Sequence, residues 1–585
     1  MNQEARQCQN CKKDFVIEAE DFDFYEKMKV PAPTFCPECR LIRRLVWRNE
    51  STLYKRKCDA PDHSEEIISM FSKDKPFVVY DQKFWWSDQW EKGKVFQDYD
   101  FSKPFLKQFR ELMEKSPLPS LSTNYSTVVN SEYSNWAGDL KNCYLVVDAD
   151  FIENGAYGSG WVYAKDCLDN DFIRKCELCY FSFDLENCYQ TFYSVSCKDC
   201  NGIWFSKDCN GLSSCFGCVN LRNKKYHILN EPYSKEDYEK KLRDFNLNSY
   251  AGIEMAKKEA GEFWIKHPKK SYRGFQNLNS KGDYIYHSKN VSYGFLITDV
   301  EDSKFVALTH SKPTKDCYDY TDWGDNVNRI YDSIAIGYAA HDIKFSHLVF
   351  NNVRDIEYSY FCSRSSDLLG CVGLTEKHYC ILNKQYSKED YFSLREKIIK
   401  HMDDMPYVDK GGRVYKYGEF FPPEISPFSY NEAVVQEYFP LTKDEALGHK
   451  LDWKDAEERG YQITKHPSDL PYQINEVDDN ILKEIIGCEH KGECNEKCTT
   501  AFRITPYEWQ FYKRFSIPLP RLCPNCRHYE RLRQRNPLKL WHRKCMCDKK
   551  NHGHEGKCPN EFETSYAPDR KEIVYCESCY NNEVA

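Results

Sequence analysis

The sequence predicts a mainly β protein with small helices, in which two β-helix-like solenoid modules are flanked by duplicated zinc-ribbon or treble-clef-like modules. Two observations support this fold class. Cysteine pairs near both ends of the chain have the spacing of zinc ligands. Between them, short apolar segments recur at constant intervals, which is typical of stacked coils. We name the four modules A, B, B′ and A′ in chain order.

The module boundaries follow from where each pattern begins and ends. They predict a zinc-knuckle module A at 1–100, a helical connector at 101–125, a Cys-rich β-solenoid B at 126–232, a helical connector at 233–270, a β-solenoid B′ at 271–386, a helix with an extended linker at 387–485, and a zinc-knuckle module A′ with two zinc sites at 486–585.

Long-range repeats indicate an internal duplication. Phe24–Cys58 reappears as Phe511–Cys545 at a constant offset of 487, so that VPAPTFCPECR faces IPLPRLCPNCR. Gly217–Tyr238 reappears as Gly370–Tyr391 at an offset of 153. One constant offset over so many matches predicts two related end modules around two related solenoids.

A shorter repeat predicts the solenoid coils. Cys167, Cys188 and Cys209 follow one another at a constant step, which predicts coils of about 21 residues that stack equivalent cysteines inside module B. In module B′ the corresponding steps are 26, 26 and 25 residues, so we predict wider coils there; the marker residues are Val291, Cys317, Ile343 and Leu368. Because cysteine behaves as a small hydrophobe, we expect buried ladders here rather than metal ligands.

Helix signals occur between and after the solenoids. YSKEDY occurs twice and supplies Ser234 and Ser387 as N-caps, each with an aspartate three residues later. The predicted helices are about Pro104–Lys115, Lys235–Asp244, Ile253–Lys266 and Lys388–His401.

Thirteen cysteines form the predicted metal ligands, and we expect about three zinc ions. Paired knuckles of soft thiolates suit tetrahedral Zn²⁺, with iron as an alternative because CPECR partly matches a rubredoxin knuckle. The first set lies in module A, and the second and third lie in module A′, where Cys547 competes with Cys545. The candidates are Cys8, Cys11, Cys36, Cys39; Cys494, Cys498, Cys523, Cys526; and Cys545, Cys547, Cys558, Cys576, Cys579.

Module A lacks most of the third set. Its matching positions are Cys58, His63, Asp81 and Phe84, so we expect this copy to have lost its metal. We predict that the aromatic cluster Phe84–Trp86 packs there instead.

Basic stretches follow the second knuckle of each end module. Between Arg503 and Lys544 there are eleven Lys or Arg residues and two acids, a local charge of +9. Such charge next to Tyr and Trp predicts phosphate contacts and base stacking, and the alternative is a solvated face or pairing with acids of this same chain. The candidate nucleic-acid-binding residues are Arg40, Arg44, Arg48, Arg527, Arg531, Arg535, Arg543 and Lys544.

Composition limits the class of protein. The chain has 585 residues, 82 Lys and Arg against 90 Asp and Glu, a net charge of −8 and 41% hydrophobic residues. No apolar segment is long enough for a membrane helix, and no signal-peptide pattern opens the chain, so we expect a cytoplasmic address and no membrane partner. Twenty-nine cysteines in a reducing compartment should be thiols or metal ligands.

These motifs together resemble a family of large proteins from candidate-phyla bacteria. The resemblance rests on CPECRLIRRLVWRNE, the Cys-rich KNCYLV solenoid and LPRLCPNCRHYERLRQRNPLKLWHRKCMC, and covers nearly the whole chain. It implies zinc and a cytoplasmic location, without implying a particular activity. Family members keep two CxxC knuckles at the second site of module A, and this sequence departs from them at Asp81 and Phe84.

Three function classes therefore remain. The preferred one is a non-enzymatic zinc protein that binds nucleic acid, with RNA or the ribosome favoured. The alternative is an architectural scaffold for a protein partner. The third is a β-helix carbohydrate-active enzyme, although no recognisable catalytic motif supports it.

Overall fold

Left-handed backbone conformations recur at every third residue of the solenoids. In module B, Asn142, Leu145 and Asp148 have φ of 55°, 51° and 51°, and the pattern continues through the module. Each such residue turns the chain, so the sides of a coil are only three residues long. The residues that follow these corners, Cys143, Val146 and Ala149, are buried inside the coil.

One coil of module B contains 12 residues, the separation of side chains that hydrogen-bond between equivalent positions of neighbouring coils. Phe183 pairs in parallel with both Asp171 and Val195, one coil before and one coil after it. The predicted coil length is therefore wrong. Inward positions recur at every third residue, so cysteines 21 residues apart all point into the coil. Because 21 is not a multiple of the 12-residue coil, they lie on different sides of it. The partner stacked on Cys167 is Cys179 and not Cys188.

Module B′ has coils of 11 to 14 residues, as the hydrogen bonds between its neighbouring coils show. Val291 pairs with Ser303, Lys304 with Tyr318, and Ile330 with Ile343. The wider steps predicted for this module therefore span two coils each. Extra residues are taken up at corners such as Tyr338–Ala339, where two successive residues are left-handed.

The computed structural model describes residues 2–309, 313–456 and 460–584, and it is mainly β. The strands of module B are Val128–Val129, Asn135–Glu177, Phe183–Glu186, Tyr189–Phe192, Val195–Lys198, Asn201–Trp204, Ser213–Phe216, His227–Ile228 and Glu231–Pro232. Those of module B′ are Gly274–Phe275, Lys281–Tyr286, Lys289–Thr298, Val300–Lys304, Ala307–Thr309, Thr314–Lys315, Tyr318–Gly324, Val327–Gly337, Ala340–Lys344, His347–Phe350, Val353–Glu357, Tyr360–Ser363, Ser366–Leu369, His378–Ile381 and Lys384–Gln385.

The end modules and the linker contain short strand pairs. These are Glu4–Gln7 with Asp14–Ile17, Tyr54–Lys57 with Glu66–Ser69, Val79–Tyr80 with Leu118–Pro119, Lys269–Lys270 with Val574–Tyr575, Tyr407–Val408 with Val414–Tyr415, Ile486–Gly487 with Ala501–Phe502, and Trp541–Lys544 with Glu561–Thr564.

The helices are short and lie outside the coils. They are α1 Ala19–Met28, α2 Pro37–Leu45, α3 Gln82–Trp86, α4 Phe105–Lys115, α5 Lys235–Asp244, α6 Tyr250–Trp264, α7 Lys388–Asp404, α8 Val435–Tyr438, α9 Lys443–Gly448, α10 Pro506–Phe515, α11 Pro524–Leu532 and α12 Glu577–Val584. Ser234 and Ser387 cap α5 and α7, each accepting a 3.1 Å hydrogen bond from the aspartate N–H three residues on. Within the described part of the chain, every helix is too short or too polar to cross a membrane.

The segment 403–485 has little regular structure, but part of it is buried. The Phe421 ring lies 4.6 Å from that of Phe109 and 4.7 Å from that of Trp47. Ser426 donates a 3.0 Å hydrogen bond to the carbonyl of Val46. After leaving module B′, the chain therefore returns to pack against module A.

We predict that the solenoid thiols from Cys143 to Cys218 resist alkylation in the native protein, because all are buried and all 29 cysteines of the chain are free. Burial also raises the pKa of the Cys143 thiol, which suppresses the reactive thiolate there. Mass spectrometry after brief iodoacetamide treatment should find these peptides unmodified, whereas guanidinium-unfolded protein should be fully modified. Rapid native labelling of several would contradict the coil interior described here.

Candidate metal centres and the arginine contacts behind them

The first metal-capable cluster joins a hairpin to a helix in module A. Cys8 follows the strand Glu4–Gln7, Cys36 is the N-cap of α2, and Cys39 lies in the first turn of that helix. The Sγ atoms of Cys8, Cys11, Cys36 and Cys39 all lie within 4.8 Å of one another. The N–H of Cys36 donates a 3.2 Å hydrogen bond to Cys8 Sγ. Backbone N–H groups and a helix N-terminus favour thiolate ligands, as a structural metal site requires.

The second cluster corrects one predicted ligand. In module A′, the equivalent of Cys8 is Cys488, which follows the strand Ile486–Gly487 and accepts a 3.3 Å hydrogen bond from the N–H of Cys523. It forms a four-thiol group with Cys498, Cys523 and Cys526. Hydrogen bonds from Cys488, Cys498 and Cys526 lower the pKa of Cys523, which favours a thiolate there even without metal.

Cys494 is therefore displaced from the predicted set, although its Sγ lies 3.7 Å from that of Cys526. The sequence comparison missed Cys488 because ten positions separate it from Cys498, whereas three separate Cys8 from Cys11. A constant offset cannot follow a seven-residue insertion. A local signal could have found Cys488. In IIGC a short apolar strand leads directly into this cysteine, just as a strand leads directly into Cys8 in module A.

The third cluster brings together Cys545, Cys558, Cys576 and Cys579, all buried. The N–H of Cys576 donates a 3.1 Å hydrogen bond to Cys545 Sγ, as in the other two clusters. Cys547 belongs to a different group, in which His552 Nδ1 is 3.2 Å from its Sγ and Cys579 is the third member.

The corresponding place in module A keeps the backbone but not the ligands. Cys58 still accepts a 3.2 Å hydrogen bond from the N–H of Asp81. The Asp81 carboxylate caps α3 instead, and the Phe84 ring packs 4.5 Å from that of His63. Among the described residues, Cys58 belongs to none of the metal-capable groups.

We call Arg40, Arg44 and Arg48 of module A, and Arg527, Arg531 and Arg535 of module A′, the two arginine stripes. The stripe of module A lies inside the protein. Arg40 and Arg44 are 1% and 0% exposed. Arg40 Nη2 lies 2.9 Å from Asp319, and Arg44 Nη1 lies 2.7 Å from Asp332 and 3.3 Å from Asp319. Both aspartates belong to module B′. The neighbouring Arg43 adds pairs of 2.6 Å with Asp332 and 2.8 Å with Glu419.

The stripe of module A′ makes the same kind of contact with module B. Arg527 and Arg531 are 2% and 0% exposed. Arg527 Nε lies 2.9 Å from Asp169, and Arg531 lies 3.0 Å from Asp169 and 2.7 Å from Asp171. Although burial opposes charge, Arg531 and His528 lower the pKa of Asp171 to about 2, so its carboxylate stays ionised.

The last arginine of each stripe lies beyond the end of its helix. Arg48 is buried, pairs with Asp148 at 2.9 Å and lies 4.2 Å from the Trp136 ring centroid. The half-buried Arg535 donates a 2.8 Å hydrogen bond to the Glu437 carbonyl and lies over the Tyr438 ring at 3.8 Å.

The two remaining basic candidates also have protein partners. Arg543 donates hydrogen bonds of 3.4 and 3.2 Å to the carbonyls of Tyr566 and Ala567. Lys544 is 80% exposed and pairs with Glu561 at 2.9 Å. The prediction that the two stripes face phosphates is wrong for Arg40, Arg44, Arg48, Arg527 and Arg531, because burial removes their guanidinium groups from solvent.

We name these buried contacts the arginine clamps: Arg40, Arg43 and Arg44 with Asp319, Asp332 and Glu419, and Arg527 and Arg531 with Asp169 and Asp171. The clamps cross the chain order, because α2 packs on the strands Tyr318–Gly324 and Val327–Gly337, whereas α11 packs on Asn135–Glu177. Each end module is thus attached to the solenoid that is more distant in sequence.

A polar groove of about 750 Å³ lies where module B, the first coils of B′ and the end of A′ meet. One row of its lining comes from successive coils of B, with one residue from each coil: Arg174, Glu186, Lys198, Asn210 and Arg222. A second row contains Asp184 and Asp208, which are two coils apart. Aromatic residues of the lining include Tyr272, Phe275 and Tyr286.

Comparisons with known proteins add no functional argument. No protein family and no curated protein match the chain. A solved chain described provisionally as an acetyltransferase from Desulfovibrio desulfuricans G20 aligns with 48% of this chain and 86% of its own length, at 7% identity and a TM-score of 0.09. A likeness of that size supports no inference about fold or activity.

We predict that Arg531→Ala lowers the free energy of unfolding by about 3–5 kcal/mol, because it leaves Asp169 and Asp171 as buried, poorly compensated charges. The matched control is Lys544→Ala, which removes an exposed cation whose surface pair contributes about 0–1 kcal/mol. Urea unfolding followed by circular dichroism measures both. Equal, small effects of the two substitutions would contradict the arginine clamp of module A′.

Proposed function

We propose that this protein is a non-enzymatic, zinc-bound architectural scaffold that presents its solenoid surfaces to a protein partner. The observation that carries the proposal is the burial of the arginine clamps. The most basic part of the sequence is used to attach the end modules to the solenoids, which removes the main support for nucleic-acid binding. What remains is a rigid assembly of stacked coils held by metal-capable modules.

We assign zinc to the three four-cysteine clusters in this proposal. Structural zinc is bound tetrahedrally by thiolates, and each cluster places four Sγ atoms within 4.8 Å of one another. In each, two ligands come from a loop at the end of a strand pair and two from a CxxC segment at a helix N-terminus. Metal would therefore fix the angle at which the α2 and α11 helices meet the solenoids.

The groove is the surface we assign to the partner. Its rows of alternating cations, acids and amides at coil spacing offer regular hydrogen-bonding positions, and its aromatic lining residues offer apolar contact. Polar rims around aromatic contacts are usual at transient protein interfaces.

We predict at least three zinc ions per purified chain. We also predict that gel shifts with total RNA show no salt-dependent binding that requires the stripe arginines. Elemental analysis measures the first and an RNA titration at two salt concentrations measures the second. Iron with thiolate-to-iron absorption, or fewer than three zinc ions, would contradict the metal assignment. RNA binding that Arg527→Ala and Arg531→Ala abolish in folded protein would restore the nucleic-acid hypothesis.

A carbohydrate-active enzyme is the second candidate, and one observation favours it. Burial raises the pKa of Asp184 to about 6, and a carboxylic acid with such a pKa suits general-acid catalysis. Tyr286 donates a 3.1 Å hydrogen bond to it. Asp208 lies two coils away, roughly 10 Å along the stack at about 4.8 Å per coil, near the carboxylate separation of inverting glycosidases.

If this candidate is correct, the protein should release reducing sugar from a polysaccharide, and both Asp184→Asn and Asp208→Asn should lower the rate by at least 100-fold without lowering the melting temperature. A reducing-end assay over a panel of neutral and acidic polysaccharides measures this. Absence of turnover across the panel would leave the scaffold proposal as the only candidate of the two.

A further inference from the structure

The insertion that moves Cys488 away from Cys498 carries three additional metal donors. His490, Cys494 and Glu496 all lie within it. Together with Cys526 they form a second metal-capable group, in which one ligand atom of each residue lies within 4.8 Å of the others. Cys526 is therefore common to this group and to the four-cysteine cluster.

We propose that module A′ binds a second zinc ion at His490, Cys494, Glu496 and Cys526, and that Cys526 Sγ bridges the two ions. Zinc accepts this combination of imidazole nitrogen, thiolate sulfur and carboxylate oxygen. The proposal rests on the zinc occupancy proposed above, since the bridging thiolate needs the first ion in its four-cysteine cluster.

Two of the observed separations match those of a zinc tetrahedron. With Zn–S bonds of about 2.3 Å and Zn–N and Zn–O bonds of about 2.0 Å, neighbouring ligand atoms should be about 3.8 Å apart for two sulfurs and about 3.3 Å apart for nitrogen and oxygen. The Sγ atoms of Cys494 and Cys526 are 3.7 Å apart. His490 Nδ1 and Glu496 Oε2 are 3.2 Å apart.

Burial supports the same assignment. Glu496 is only 7% exposed, which is unusual for a glutamate unless it is paired or bound to a metal. One of its oxygens faces Arg533 and the other faces His490. The competing explanation is a simple His490–Glu496–Arg533 ion pair, which needs neither Cys494 nor Cys526.

Module A supplies an internal control for the proposal. Only two residues separate Cys8 from Cys11, so this knuckle has no room for the additional donors. Among the described residues, module A has one metal-capable group, which is its four-cysteine cluster. Module A should therefore bind one ion.

Zinc counts on single variants of the full-length protein test the proposal. Cys494→Ser and Glu496→Gln should each lose one zinc ion relative to wild type, by elemental analysis and by native mass spectrometry. Cys498→Ser should lose both ions of the pair, and Cys58→Ser, whose thiol belongs to no metal-capable group among the described residues, should lose none. Cys494→Ser separates the two explanations, because an ion pair of His490, Glu496 and Arg533 does not use Cys494 and would leave the zinc count unchanged.

An unchanged zinc count in both Cys494→Ser and Glu496→Gln would overturn the second ion. If wild type also carries three or more zinc ions in that case, the scaffold proposal survives and only the bridged pair fails. Fewer than three ions in wild type would instead count against the metal assignment of the proposed function. Cobalt substitution gives an independent readout, since loss of the second ion in Cys494→Ser should reduce the thiolate-to-cobalt absorption by about the contribution of its two cobalt–thiolate bonds, those of Cys494 and Cys526.

Discussion

Buried pairs of arginine and aspartate hold the zinc-knuckle modules on the solenoids, and the rest of the structure depends on them. Burying a guanidinium costs several kcal/mol in lost hydration, which is recovered only where carboxylates and carbonyls satisfy its N–H groups. Arg44 meets this condition, since it reaches Asp319, Asp332 and Thr321 at once. The clamp position is fixed by the start of α2, where Cys36 and Cys39 place the helix. Cysteine cluster, helix and clamp therefore act as one unit.

The crossed attachment of the modules explains the path of the chain. Module A contacts B′ and module A′ contacts B, so the chain must return over itself after B′. The irregular segment 403–485 makes this return, and it buries aromatic side chains against module A as it does so. The groove is left where the end of A′ meets the first coils of B′ and one face of B.

Local chemistry was predictable from the sequence, and long-range pairing was not. CxxC spacing predicted the helix-end pair of each cysteine cluster but not the ligand Cys488, and the YSKEDY caps predicted α5 over its full range. The coil length was predicted wrongly. Buried positions recur at every third residue, so a sequence repeat can appear at any multiple of three, and the cysteine step of 21 residues is not the coil of 12. The shorter cysteine spacings, such as those from Cys167 to Cys176 and to Cys179, contained the missing signal.

The arginine stripes show the same limit more sharply. Their helical spacing and density were visible, but the aspartates that neutralise them lie hundreds of positions away along the chain. A basic helix that meets nucleic acid and one that meets acids of its own chain have the same local sequence. Only the fold distinguishes them.

A double-mutant cycle between Arg531 and Asp171 measures whether this buried pair holds module A′ on module B. Arg531→Met, Asp171→Asn and the double variant are compared with wild type by urea unfolding. If the pair is coupled, the coupling free energy should be about 1–3 kcal/mol, and the double variant should be more stable than the sum of the two single effects implies. Additive effects, with a coupling free energy below about 0.5 kcal/mol, would contradict the claim that these charges hold module A′ on the solenoid.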